Sequence, residues 1–93
     1  MADMDTLVTT PARKVEAETI MMITEITEMK NRVLEILSRY GAQKPDDIEA
    51  KIIAGQIPEH PSYEDYLSAL SYEQGILDLK KRLLNAIEEI DHI

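Results

Sequence analysis

The sequence has no cysteine, no tryptophan and no phenylalanine, and only three glycines. Without cysteine it can build neither a disulfide framework nor a thiolate zinc site. Two histidines, His60 and His92, leave little for an imidazole cage. Aromatic residues are confined to four tyrosines, too few and too scattered to form a base-stacking platform. Long apolar runs are missing as well: no stretch approaches the ~20 residues of a membrane span. The acidic opening Met-Ala-Asp-Met-Asp is unlike the basic start of a secretory signal. Basic residues are scarce, with ten Lys and Arg against eighteen Asp and Glu, a net charge of −8. That charge repels phosphate backbones and anionic membranes, so neither nucleic acid nor membrane is expected as a partner; with no signal-like start and no span-length apolar run, the cytoplasm is the default expectation.

A chain of 93 residues is one domain at most. Its surface-to-volume ratio leaves the core marginal unless disulfides, a metal or oligomerisation add to it. The first two lack their residues, which leaves oligomerisation.

What the sequence does contain is helical periodicity. Residues 1–9 have no period and read as a flexible N-terminus; residues 10–93 read as one helical domain with helices at about 11–40, 45–54 and 62–91. Thr10 and Pro11 suit a cap and a first turn, and Gly41 a stop. Between them Val15, Thr19, Met22, Ile26, Met29, Val33, Ile36 and Tyr40 alternate four and three apart, the seam of a helix packed along another. Pro45, Asp46 and Asp47 open a short helix that ends at Gly55 and should bury Ile48, Ile52 and Ile53, with Ile57 anchoring the loop beyond. Ser62 and Asp65 have the spacing of a capping box for the last helix. Its seam is Ala69, Tyr72, Ile76, Leu79, Leu83, Ala86, Ile90 and Ile93. Gly75, inside this helix, costs roughly 1 kcal/mol relative to alanine; it either lets another helix approach closely, the favoured reading, or is simply tolerated.

Each long helix carries a second apolar row: Ile20, Ile23, Leu34 and Leu37 on the first, Leu70, Leu77, Leu84 and Ile87 on the last. A single hairpin uses one row from each helix and leaves the other in water. An apolar strip of this size is unusual on a monomer. The expected fold is therefore all-α: a long helical hairpin with a short connecting helix, dimerising into a four-helix-bundle-like core through these eight residues. Either row could serve within the chain and the other between chains, and the relative direction of the two chains is open.

Candidate chemistry is thin. Glu25 and Glu28, with Glu88 and Asp91, resemble in their spacing the magnesium-binding acids of the all-α nucleotide pyrophosphohydrolases, which implies a metal-dependent hydrolase. Within one hairpin, however, Glu88 should lie opposite Val15, about 15–20 Å from Glu25, so these acids read as solvated helix faces. The long–short–long helix order resembles the helical chorismate mutases, which implies a site with converging cations. Arg13, Lys14, Arg32, Arg39 and Arg82 fall at seam edges or helix ends without a matching motif. His60 among Glu59, Glu64 and Asp65 has no metal-ligand pattern, and Lys80-Lys81-Arg82 reads as a solvated run. No catalytic residue, cofactor-binding residue or metal ligand is assigned, and no cofactor is expected. The expectation is a small non-enzymatic interaction or accessory protein, a homodimer that could also engage another protein. The alternatives are a small helical enzyme with an intersubunit site, and an acidic antitoxin or adaptor for a basic partner.

Overall fold

A computed structural model describes the backbone of residues 11–91 and the side chains of residues 14–91. The expected flexible segment 1–9, the Thr10 cap, the Arg13 side chain, His92 and Ile93 lie outside the described residues. Within them the chain forms α1 (Pro11–Arg39), α2 (Pro45–Ile53) and α3 (Glu59–Asp91), and no strand.

Helices α1 and α2 end in the same way. Past α1, Ala42 N donates to Leu37 O at 3.0 Å and Gly41 N to Ser38 O at 3.5 Å; past α2, Gln56 N donates to Lys51 O at 2.9 Å and Gly55 N to Ile52 O at 3.0 Å. These are the paired bonds of a Schellman ending, which needs a left-handed residue just past the helix. Gly41 (φ 61°) and Gly55 (φ 72°) supply it. At the start of α2, the Asp47 carboxylate accepts from Gln43 N at 3.0 Å and Lys44 N at 3.3 Å, fixing the turn into that helix.

Helix α3 starts with a kink. His60 has extended backbone angles, φ −117° and ψ 132°, and its bond to Pro61 is cis. The Ser62–Asp65 pair does something other than the capping expected from its spacing. The Asp65 carboxylate accepts from the Tyr40 hydroxyl and, at 3.5 Å, from the Arg39 guanidinium. Ser62 is buried at 2% exposure. Both residues continue the α3 seam upward in its own three–four spacing, so they face α1 and close the polar end of the seam.

The two seams pack as expected. Met22, Ile26, Val33 and Ile36 of α1 are buried with Ala69, Ile76, Leu79 and Ala86 of α3, and Val15, Met29, Tyr40, Tyr72 and Leu83 pack around them. Two contacts set the register. Met29 lies against Gly75, and ten residues further along α1 Arg39 meets Asp65, ten residues earlier on α3. Thr27 is thus level with Leu77.

Helix α2 packs on α3 at the closed end. Ile48 is fully buried and Ile52 and Ile57 partly so, whereas Ile53, also expected inside, is 79% exposed. In a helix of under three turns only one stripe can face inward, and Ile53 is one residue beyond it. Lys51 Nζ donates to Tyr40 O at 2.7 Å, tying α2 to the end of α1.

The molecule measures 64 × 25 × 16 Å, with a radius of gyration of 19.2 Å. A compact globule of this length would have roughly 12 Å. The shortest dimension is that of one helix layer, so the hairpin has two broad open faces.

Candidate interaction face

The seam divides the two open faces, and their chemistry differs. On one side of it α1 presents Ile20, Ile23, Thr27, Lys30, Leu34 and Leu37, and α3 presents Leu70, Glu73, Leu77, Lys80, Leu84 and Ile87. In an antiparallel pair these two rows flank the seam on the same side. The contacts bear this out: Lys30, Leu34 and Leu37 line one groove of about 520 Å³ with Glu73 and Leu77, floored by Val33 and Ile76.

On the other side lies a polar groove of about 420 Å³. It is lined by Glu18, Met21 and Glu25 from α1 and Arg82, Asn85 and Glu89 from α3, with Met22 and Ala86 beneath. One face is thus rich in Ile and Leu, and the other is charged.

Of the eight residues expected at an interface, Ile20, Ile23, Leu34, Leu70, Leu77, Leu84 and Ile87 all lie on the apolar face, between 37% and 65% exposed. Leu37 is different. It sits near the closed end, is 7% exposed and belongs to the core of the single chain.

The face runs on to Tyr63 and Tyr66, which sequence reasoning missed. Their rings stack, with centroids 6.2 Å apart and planes at 26°. The signal was present: Tyr63 stands seven residues before Leu70, on the same helix row. Desolvation raises the Tyr66 phenol above its ordinary range, helped by a hydrogen bond to Glu49 and by the charges of Glu49 and Asp46. The acids of α2 therefore flank this end of the apolar face.

Nothing comparable gathers around the acids and cations considered for catalysis. Glu25 lines the polar groove, while Glu28 lines a separate shallow one with Asn31, Arg32 and Glu35. The register carries Glu88 to the level of Glu16, far from both. Among the described residues no three of His, Cys, Asp and Glu are placed to hold a metal ion. Arg39 is engaged by Glu35 at 3.4 Å and Asp65 at 3.5 Å, and Arg82 stands among acids, so the arginines among the described residues do not converge on one cavity. His60 Nδ1 lies 2.6 Å from Glu64 Oε1, both side chains exposed. That hydrogen bond, more than the charge of Glu64, raises the imidazole above its ordinary range. Among the described residues no helix is long and apolar enough to cross a membrane.

Residues 1–91 match the sequence model of the uncharacterized protein MJ0235 family. The chain belongs to that family. No curated protein and no solved structure matches it significantly. Family membership brings no reaction with it, so the functional argument rests on the two faces.

Proposed function

We propose that this member of the MJ0235 family is a non-enzymatic helical interaction or accessory protein of the cytoplasm. It acts as a homodimer whose two hairpins close their apolar faces on each other to form a four-helix core. The segregation of the two faces is the observation that carries this reading. A monomeric hairpin would gain solubility by mixing charge into both flanks; here the aliphatic residues gather on one.

The magnitude supports it. Burying an aliphatic side chain completely stabilises by about 1.5–3 kcal/mol. The seven exposed residues are already partly covered, so roughly half of that remains for each. The total is on the order of 5–10 kcal/mol per copy, an upper figure. It is comparable with the whole stability of a small domain. In such a dimer the polar faces, bearing Glu18, Glu25 and Glu89, stay outward and are available to a basic partner protein, which is the accessory part of the reading.

A pair of surface substitutions tests it. Leu77 (52% exposed) and Met21 (63% exposed) stand on opposite flanks, and each can accept a carboxylate in the lone hairpin. Leu77→Glu should halve the mass measured by light scattering while the helical content persists, because an unpaired charge in an apolar interface costs several kcal/mol. Met21→Glu should leave the mass unchanged. Equal masses for both variants and the parent would overturn the proposal.

A further inference from the structure

The outer residues of the apolar face are symmetric about its centre, whereas Ile23 and Lys30, four before and three after Thr27, are not. Along α1, Ile20 and Leu34 stand seven residues to each side of Thr27; along α3, Leu70 and Leu84 stand seven residues to each side of Leu77. The two centres are level with each other in the hairpin, as the Met29–Gly75 contact requires. The charges follow the same pattern, since Glu73 and Lys80 are set four before and three after Leu77. Neither they nor Lys30 form an ion pair among the described residues.

Resting on the homodimer reading above, we infer that the second copy lies on this face end for end, about a twofold axis passing by Thr27 and Leu77. Helix α1 then lies on α1 and α3 on α3, each pair antiparallel. Leu77 meets Leu77, Leu70 meets Leu84 of the second copy, Ile20 meets Leu34, and Glu73 meets Lys80 twice. The face is about 35 Å long and two helix diameters, roughly 20 Å, wide. It would bury about 700 Å² per copy and about 1,400 Å² in all, within the range of specific interfaces.

The other twofold arrangement, with both closed ends together, sets α1 on α3 and Thr27 against Leu77. It also brings Asp46 and Glu49, which flank Tyr66 at that end, to the same level as their own copies. Two acidic α2 helices at one level repel each other more than two at opposite ends of the bundle, and end-for-end stacking pairs Leu77 with Leu77 where this arrangement sets Leu77 against Thr27 twice.

Because the chain has no cysteine, an introduced one reports its own neighbour. Leu77→Cys should oxidise to a covalent dimer. Leu70→Cys alone should not, but should do so when mixed with Leu84→Cys. Charge exchange gives a second reading without oxidation: Glu73→Lys should weaken the dimer by up to roughly tenfold, and adding Lys80→Glu should restore it. If instead Leu77→Cys links only to Thr27→Cys, and Lys30→Glu restores Glu73→Lys, the closed ends lie together and the end-for-end inference is wrong although the dimer stands. A parent protein of single-chain mass that forms none of these links would remove the dimer itself.

Discussion

Met29 rests on Gly75: a Cβ placed on the glycine would stand 2.9 Å from the Met29 sulfur and 3.2 Å from its methyl. The glycine has an ordinary helical conformation, so its use is space rather than backbone freedom. Gly75→Ala gains roughly 1 kcal/mol of helix propensity but pushes the thioether off the seam. The expected net change is close to zero. In a Met29→Ala background the same substitution should stabilise by about the full 1 kcal/mol. A thermal double-mutant cycle measures the difference, and equal effects in the two backgrounds would show that Met29 does not press on this position.

The Tyr40–Asp65 hydrogen bond is a second joint between α1 and α3. Burial, then the bond to Asp65, raises the Tyr40 phenol above its ordinary value of 10.0, against a smaller opposing pull from Ser62. A raised folded-state value means that the neutral phenol is favoured by folding. Its contribution is complete below about pH 10 and is lost as pH rises through the folded-state value. In an alkaline titration followed by tyrosinate absorbance, Tyr40 and Tyr66 should ionise later than free tyrosine. Tyr40→Phe should remove one late component and cost about 1 kcal/mol at neutral pH. A titration curve unchanged in Tyr40→Phe would contradict the placement of this phenol.

Ile48 is the one fully buried aliphatic side chain of α2. Ile48→Ala should destabilise by about 2–5 kcal/mol, the usual range for emptying a fully buried aliphatic site. Ile53→Ala should change stability by less than about 0.5 kcal/mol. Urea denaturation separates the two. Equal costs would mean that α2 sits on α3 by a different stripe.

No specific binding of magnesium, manganese or zinc is expected, because the described acids are spread over separate grooves. Calorimetric titration checks this. A stoichiometric micromolar event abolished by Glu25→Gln or Glu28→Gln would contradict the non-enzymatic reading.

The long helices, both seams and the glycine stops could be read from residue spacing because a helix repeats its environment every three or four residues. The second rows were legible for the same reason. What spacing could not supply was how the rows are shared out. Leu37 carries the same pattern as Leu34, yet it is buried because it lies near the closed end. Asp65 and Ser62 have a capping spacing, but the kink at His60 moves the helix start and frees Asp65 to meet Tyr40 and Arg39. The Asp65 contacts join residues 25 and 26 apart, and no local pattern encodes either outcome. That the two apolar rows share one flank follows from the antiparallel packing of the long helices, and which of their residues are level follows from Met29 on Gly75 and Arg39 on Asp65.

The unpartnered apolar face is most directly tested on the unmodified protein, by sedimentation equilibrium over nanomolar to high micromolar concentration. The mass should approach twice the 10.6 kDa of the chain by low micromolar concentration and fall toward one chain only on dilution. A well-folded species that keeps the mass of one chain across the whole range would contradict the dimer and leave the face to a different protein.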